Sequence, residues 1–289
     1  MKLKDIHLRD PFILPFEGMY YLYGSRGGEA FGECTGFDVY VSKDLEHWSE
    51  PIEVFTPLQD FWSHKHFWAP EVHLYKEKFY MFASFISETR KRGTQILVST
   101  SPMGPFEVHS EGPVTPEEWN CLDGTLYVDE QDNPYMIFCR EWLQSPQPNI
   151  IGEMWAIALS KDLDKGMGKP IYLFKANDPV WVDQNRKVFV TDGPFMYKTQ
   201  NGKTLLLWSS FGPNGYCNVI SRLEGNIISG KWIHCQDIFF RDNGGHGNIF
   251  RTFSGALMFV CHQPNDPPKE RPVIFEAFEQ NDMLYLYEK

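Results

Sequence analysis

The chain has 289 residues, of which 42% are hydrophobic and 16% aromatic, and its formal net charge is −11 at pH 7. This acidity repels polyanions, so neither nucleic acid nor an anionic membrane surface is expected as a partner. No apolar run approaches the roughly 20 residues of a membrane span. The start MKLKDIHLRDPF lacks an apolar signal-peptide core, so the sequence as given is expected to be cytoplasmic, or periplasmic or secreted if a signal had been removed.

One short pattern recurs five times along the chain. Each copy has an ionisable residue, an apolar and aromatic run, a turn, and a second aromatic-rich run, which predicts two antiparallel strands. The copies are marked by Asp10 (DPFILPFEGMYYLYGS), Glu71 (PEVHLYKEKFYMFASF), Asp123 (LDGTLYVDEQDNPYMIFC), Asp192 (TDGPFMYKTQNGKTLLLWSS) and His246 (GHGNIFRTFSGALMFVCH). The segments suited to two further, outer strands are residues 37–51, 95–110, 153–170, 218–232 and 272–289.

The spacing of these repeats predicts the architecture. The five markers lie about 59 residues apart on average, close to the roughly 40–50 residues of a four-stranded propeller blade plus its loops. We therefore predict an all-β fold, a five-bladed β-propeller with four-stranded antiparallel blades around a central channel. Residues 1–289 contain no low-complexity tract or obvious linker, so one domain is expected.

In a propeller, the innermost strand of every blade runs along the channel, so the five marker residues are expected to meet at one face. Converging carboxylates raise one another's pKa, an arrangement that suits chemistry needing acids with separated pKa values. Two or three carboxylates without an obvious nucleophile favour glycoside hydrolysis, and the aromatic segment FWSHKHFWAPE before Glu71 suits sugar rings. Taken singly, Asp-Pro and Asp-Gly pairs are also ordinary turn residues.

Five motifs carry a resemblance to a known family. They are RDPFI (9–13), FWAPEV (67–72), LDGTLYVDEQDNPYMIF (122–138), TDGPFMYK (191–198) and GHGNIFR (245–251). Together they span the chain, which resembles glycoside hydrolase family 43, the inverting five-bladed propeller enzymes that act on arabinofuranosides, xylosides and related sugars.

The resemblance implies roles for the carboxylates. Asp10 would be the general base, and Asp123 would raise the pKa of the general acid and orient it. The family's E-G-P motif, which supplies the acid, here reads Asp192-Gly193-Pro194. Asp192 is one methylene shorter than Glu, a displacement of about 1.5 Å that can cost on the order of a hundredfold in rate. Glu141, just beyond the third hairpin, is therefore the alternative proton donor.

Further residues are expected around the substrate and the axis. The expected sugar-contacting residues are Arg9, His66, Phe67, Trp68, Glu71, Arg140 and Trp142. Phe67 and Trp68 also suit a core between blades. His246 resembles the family's axial histidine, which implies a calcium or sodium ion, or else water, at the channel centre, with no cofactor strictly required. Zinc at His64 and His66 is disfavoured because neither a cysteine nor a third histidine lies nearby.

The resemblance implies an oligosaccharide or small glycoside as substrate. Because many xylosidases of the family carry a further domain and this sequence ends with the fifth repeat, we expect an α-L-arabinofuranosidase, ahead of a β-galactofuranosidase or a β-xylosidase. Loops 56–67 and 141–152 are long enough to close a pocket, which favours exo action. Two other classes stay open: a propeller glycoside phosphorylase, in which Arg9 and Arg140 would bind phosphate, and a non-catalytic sugar-binding propeller.

Overall fold

Five four-stranded antiparallel sheets form the computed structural model, which describes residues 1–142 and 150–287. Each sheet uses one continuous stretch of chain, and its strands lie side by side in sequence order. The predicted five-bladed propeller is therefore confirmed. Within the described ranges the structure contains no helix with the length and apolar character needed to cross a membrane.

The strand bounds follow blade by blade. The first blade contains β1 (Leu8–Phe16), β2 (Met19–Arg26), β3 (Phe37–Ser42) and β4 (Ile52–Phe55). The second contains β5 (Lys65–Tyr75), β6 (Lys78–Ile86), β7 (Gly93–Ser99) and β8 (Glu107–Val108). The third contains β9 (Cys121–Val128), β10 (Pro134–Arg140), β12 (Glu153–Leu159) and β13 (Gly166–Lys175), with the short parallel pair β11 (Ile150–Ile151) and β14 (Val188–Phe189) beside it. The fourth contains β15 (Asp192–Lys198), β16 (Thr204–Gly212), β17 (Gly215–Leu223) and β18 (Trp232–His234). The fifth contains β19 (Ile249–Arg251), β20 (Leu257–Gln263), β21 (Arg271–Gln280) and β22 (Met283–Leu286), and a 3-10 helix (Leu3–Asp5) precedes β1.

The core is divided among the boundaries between blades. Each of the five largest clusters of buried apolar side chains joins two adjacent blades, including the fifth and the first. This division follows from strand geometry, since successive side chains point to opposite faces of a sheet. On β16, for example, Leu206 packs toward the third blade, whereas Leu205 and Leu207 pack toward the fifth. All six cysteines are unpaired, and five of them are buried.

A side chain from the fifth blade closes the ring. The backbone N–H of Ile13 donates to Asn248 Oδ1 at 2.9 Å, and Asn248 Nδ2 donates to the Ile13 carbonyl at 3.0 Å. Asn248 is 2% exposed, so both bonds are shielded from water. The first and fifth blades thus adjoin at the axis, where residues far apart in sequence can share one site.

Candidate active site

Each innermost strand begins with an extra residue that disturbs its pairing. The residues at this bulge have left-handed backbone angles: Asp10 (φ 52°), Ala69 (47°), Asp123 (57°), Gly193 (47°) and His246 (48°). The pairing registers shift at the same place in the first four blades, and in the fifth the shift lies between the Gly245 and Ile249 pairings. A left-handed conformation is costly for residues other than glycine, and such conformations cluster at functional sites. The bulges aim side chains into the axial end of the channel.

Two of the predicted equivalent positions are wrong. Ala69 and Gly193 occupy the bulge in the second and fourth blades, so Glu71 lies two residues too late and Asp192 one residue too early. Asp192 still lines the cavity, because its register position also faces it. Arg9 has the same register in the first blade, and it lines the cavity as well.

Hydrogen bonds between blades hold the bulges in place. The backbone N–H groups of Ala69, Asp123 and His246 each donate to a serine of the preceding blade, at 2.8–2.9 Å. These serines are Ser25, Ser84 and Ser209. The N–H of Asp10 donates at 3.2 Å to Nδ1 of a histidine, His262, in the fifth blade. Each bulge is thus fixed by the blade before it.

The fourth bulge departs from this rule. Cys139 takes the place of the serine, since it pairs with Leu122 as Ser25 pairs with Arg9. The N–H of Gly193 donates instead to Asp123 Oδ2, at 3.0 Å. Asp123 therefore has a structural partner at the fourth blade as well as a place in the site.

Asp10 is held as an ionised carboxylate. Ser25 Oγ donates to its Oδ2 at 2.6 Å, and Nδ1 of His246 lies 3.3 Å from its Oδ1. Burial would raise the pKa of Asp10, but the neighbouring His246 and Arg9 outweigh burial and lower the pKa to about 2. Burial lowers the pKa of His262 to about 4, so this imidazole is neutral at pH 7 and its Nδ1 can accept from Asp10. Asp10 is thus charged over the whole physiological pH range.

Asp123 has the opposite electrostatic character. It is 3% exposed, and burial together with the charge of Asp192 raises its pKa well above the usual range. Its Oδ2 lies 3.9 Å from His246 Nδ1. Two carboxylates close together cannot both ionise easily, so Asp123 favours a shared proton with its neighbour.

Asp192 lies beside His246, as Asp10 does. Its Oδ1 lies 3.6 Å from the Nδ1 of His246, and the hydroxyl of Tyr216 donates to its Oδ2 at 2.6 Å. Asp10 Oδ1 lies 3.3 Å from the same nitrogen, so the two carboxyl oxygens cannot be farther apart than the sum of these two distances. Both carboxyls therefore belong to one site.

Glu141 forms a second acidic wall of the site. It is 7% exposed, and Arg92 Nε lies 3.6 Å from its Oε2. Burial raises the pKa of Glu141, while the charge of Arg92 opposes the increase. Arg92 is itself 5% exposed, and its Nε and Nη1 have no hydrogen-bond partner within the described chain.

Arg92 lies behind an aromatic wall. Its guanidinium is 3.6 Å from the centre of the Trp68 ring, and its Nη2 contacts Nδ1 of His66 at 3.2 Å. His66 stacks on Trp68 with ring centroids 5.0 Å apart. Burial lowers the pKa of His66, and the charge of Arg92 lowers it further, so a neutral imidazole accepts from Arg92. His66 therefore supports Trp68 and Arg92 and does not line the cavity itself.

The carboxylates open into a cavity of about 200 Å³. Its lining includes Asp10, Asp123, Asp192, Glu141 and His246, with Arg9, Trp68 and Trp142 as predicted, and also Phe31, Phe211, Tyr216 and Asn265. Arg9 donates to Glu270 and, at 3.0 Å, to Asn265. Phe31 is 58% exposed and packs edge-on against Trp68, so the two rings form an aromatic rim.

Three further residues that were expected to contact sugar lie outside the cavity lining, because their side chains have other partners. Phe67 is 1% exposed and packs among Phe37, Phe55, Phe61 and Phe85 in the core. Glu71 is 7% exposed and pairs with His73 at 3.1 Å. Arg140 pairs with Glu153 at 3.0 Å and lies over Trp119. None of the three lines the cavity.

Sequence reasoning missed several residues of the site. Ser25 and its two serine counterparts had a signal, because a serine ends the second run of three repeats (YGS, FAS, WSS). Arg92 and Tyr216 had none, since they come from the third strand of a blade or the loop before it, outside every motif. Their place depends on how the next blade packs.

The neighbourhood of His246 could accommodate a cation only in part. His246, Asp123 and Asp192 each bring one ligand atom within 4.8 Å of the others. Calcium takes six to eight oxygen ligands, while one Asp123 oxygen and one Asp192 oxygen already accept hydrogen bonds. A cation here would have His246 as its protein ligand and mostly water in its shell, and would supply positive charge beside the acids.

Comparisons with known proteins agree with this chemistry. A model described as Glycosyl hydrolases family 43 matches residues 4–282. An endo-arabinase of known structure from Bacteroides thetaiotaomicron VPI-5482 is 37% identical, with a TM-score of 0.87 covering 97% of this chain and 98% of that chain. An α-L-arabinofuranosidase from Lactobacillus brevis has a TM-score of 0.76 over 98% of this chain and 96% of that chain, but at 17% identity this shows the fold alone.

A curated relative matches over a shorter length. The chain is 27% identical over 177 residues to the extracellular endo-alpha-(1->5)-L-arabinanase 1 of Bacillus subtilis (strain 168). The match covers 56% of this chain and 48% of that protein, so the chain spans about half the length of the curated relative it matches.

Proposed function

The chain belongs to glycosyl hydrolases family 43, and from this premise we propose that it is an inverting hydrolase that cleaves α-1,5-linked L-arabinofuranosyl chains internally. The support for arabinan as substrate is the similarity to the two proteins named as arabinan-degrading enzymes. Both are named as endo-acting, which favours endo action over the exo action expected from the loops. Residues 143–149 of loop 141–152, on which that expectation partly rests, lie outside the described residues.

The observation that carries the proposal is the pair Asp10 and Asp192, each held beside Nδ1 of His246. Asp10 has its pKa lowered to about 2 and is therefore ionised as a general base requires. It accepts a proton from water while the water oxygen bonds to the anomeric carbon. The bond from that carbon to the glycosidic oxygen breaks, and Asp192 delivers a proton to the departing oxygen.

Asp123 supports proton donation without touching the leaving group. Its buried carboxyl lies beside Asp192, whose charge disfavours ionisation of Asp123 and raises the pKa of Asp123. Asp123 therefore tends to keep a proton beside the carboxyl that we assign as the donor.

Glu141 is the alternative donor, because it lines the same cavity and burial raises its pKa. Its pairing with Arg92 favours the charged form, so Asp192 remains the preferred assignment. The phosphorylase alternative has less support. Arg9 is bonded to Glu270 and Asn265, and Arg140 is bonded to Glu153, which leaves neither predicted cation free for phosphate.

Product analysis on linear α-1,5-arabinan tests the proposal. An endo-acting hydrolase releases a mixture of oligosaccharides with a rapid loss of viscosity, and NMR of the first products shows the inverted β-anomer. Asp10→Ala is the inactive control. Arabinose as the sole early product would overturn endo action, and cleavage only of xylan or a β-galactofuranoside would overturn the sugar assignment. Phosphate-dependent release of sugar phosphate would indicate the phosphorylase.

A further inference from the structure

Tyr216 makes a short hydrogen bond to the carboxyl of Asp192. Its hydroxyl donates to Asp192 Oδ2 at 2.6 Å, and the side chain lines the cavity while only 1% of the residue is exposed. Its ring stacks on His262, with centroids 5.5 Å apart and planes inclined by 12°. Since His262 also accepts from the Asp10 backbone, the Tyr216 ring is fixed against the part of the site that holds the base.

This contact distinguishes the two oxygens of Asp192. Oδ2 is occupied as an acceptor, because burial and the charge of Asp192 raise the pKa of Tyr216 well above its usual value and keep the phenol protonated. Oδ1 is directed toward His246 Nδ1, 3.6 Å away, on the side of Asp10. The oxygen available to carry and release a proton is therefore Oδ1.

We propose that Tyr216 is a positioning residue that orients the short Asp192 side chain so that Oδ1 faces the glycosidic oxygen. The inference rests on the proposed function in one respect, the assignment of Asp192 as proton donor. An aspartate carboxyl can rotate about its last bond, and a single strong hydrogen bond to one oxygen fixes that rotation. Fixing the donor in this way is worth about 10–100-fold in rate where the leaving group needs a proton.

Tyr216→Phe tests this role, because it removes one oxygen and keeps the ring stacked on His262. Two aryl glycosides of the same sugar are compared, one with a 2,4-dinitrophenyl group, which departs without a proton, and one with a 4-methylphenyl group, which needs one. The expected loss of kcat/KM is about 10–100-fold on the methylphenyl substrate and under about threefold on the dinitrophenyl substrate. An equal loss on both substrates, or no loss on either, would overturn the proposal.

A double variant separates action through Asp192 from a direct effect on the substrate. If Tyr216 acts by orienting Asp192, Tyr216→Phe adds no further loss to Asp192→Ala on the methylphenyl substrate. A multiplicative loss in the double variant would contradict the proposal. The matched control is Tyr23→Phe, which removes another buried tyrosine hydroxyl. Tyr23 lies in the first blade, and its hydroxyl donates to the Pro102 carbonyl of the second blade. This control is expected to lose some thermal stability and no leaving-group selectivity.

Lengthening the acid at position 192 provides a second, independent test, beside removal of the Tyr216 hydroxyl. With 2.6 Å between Asp192 Oδ2 and the phenol, a further methylene of about 1.5 Å cannot be accommodated unless Tyr216 moves. Asp192→Glu is therefore expected to lose at least about tenfold with Tyr216 present and to recover severalfold in Tyr216→Phe. Full activity of the single variant would overturn the positioning role.

The same substrates separate this inference from the proposed function. They are made with α-1,5-linked L-arabinofuranosyl oligosaccharides, with β-D-galactofuranose and with β-D-xylose, and the series is run on whichever sugar the wild type cleaves. A wrong sugar assignment thus leaves the test of Tyr216 intact. If Glu141→Ala and not Asp192→Ala gives the leaving-group dependence, the donor assignment fails and the inference fails with it.

Discussion

The carboxylate of Asp123 accepts a hydrogen bond from the backbone N–H of Gly193 at 3.0 Å, across the boundary between the third and fourth blades. At the boundaries before the second, third and fifth blades, a serine hydroxyl fills the corresponding place. Cys139 stands in the serine's position at this boundary. Asp123 therefore accepts the hydrogen bond that holds the bulge, and it also interacts with the charge of Asp192. Its charge can therefore be removed while its shape is kept.

Asp123→Asn is expected to stabilise the fold while impairing catalysis. Burial and Asp192 raise the pKa of Asp123, so the wild type loses stability as pH rises from the unfolded value near 3.8 through the raised folded value. Asparagine has no charge and can still accept from Gly193. The variant is expected to melt several degrees above the wild type at pH 8, with the difference shrinking toward pH 4, and to lose about 10²-fold in activity. A melting difference independent of pH would contradict this.

Asp10 is expected to affect the pH dependence of stability in the opposite direction from Asp123. Its folded pKa of about 2 lies below the ordinary value of 3.8, so its stabilisation is complete above about pH 4 and is lost as pH falls through 2. The shift corresponds to about 2 kcal/mol. In urea unfolding between pH 5 and pH 2, the wild type should lose about that much more stability than Asp10→Asn. Parallel losses in the two proteins would argue against the lowered pKa.

Two phenylalanines provide a matched comparison of rim and core. Phe31→Ala should change the unfolding free energy by under about 0.5 kcal/mol, because the ring is 58% exposed, and should raise KM for arabinan. Phe67→Ala should cost about 3–5 kcal/mol, because the ring is 1% exposed among other aromatic rings, and should leave KM unchanged in the folded fraction. Chemical denaturation and initial rates measure both. A KM effect from Phe67 alone would reverse the assignment.

Substitution can distinguish the two candidate proton donors, Asp192 and Glu141, which both line the cavity. Asp192→Ala is expected to reduce kcat/KM about 10²–10⁴-fold on a substrate with a poor leaving group and far less on an activated one. Glu141→Ala should reduce both by a similar, smaller factor, because it leaves the buried Arg92 without its acidic neighbour. The comparison uses thermal melting to exclude unfolded protein. The reverse pattern would assign proton donation to Glu141.

A cation beside His246 has its own measurable signature. If one binds, calcium at 100 times its dissociation constant should raise the unfolding free energy by about 2.7 kcal/mol, and a chelator should reverse the increase. His246→Ala should abolish the calcium-dependent shift, whatever its own stability. Melting curves of the chelated wild type that do not respond to calcium would rule against the cation.

The fold could be predicted because all five hairpins share one sequence pattern. The exact position of the bulge residue within each pattern could not be predicted. In the first and third blades an aspartate stands at the bulge, so the repeated pattern locates Asp10 and Asp123. In the second blade Ala69 takes that position, although the pattern indicates the nearby Glu71. One extra residue reverses which side of the strand faces the cavity, and sequence pattern alone does not locate it.

The supporting residues were harder to predict for a different reason. Arg140 directly follows a motif and Arg92 does not, yet Arg92 is the one beside Glu141, since Arg140 pairs with Glu153. Tyr216 enters from the third strand of its blade, on which the repeat places no polar marker. Such contacts depend on packing between blades, which has no local signal.

The bond between Ile13 and Asn248 has a consequence for assembly. Asp10 belongs to the first blade, yet His246 and His262, which set its charge and orient its backbone, belong to the fifth. A nascent or partly unfolded chain that lacks the fifth blade therefore contains the base without two of the groups that lower its pKa. Catalysis begins only once the two ends of the chain have met, and enzyme activity can serve as a direct clock for ring closure during refolding.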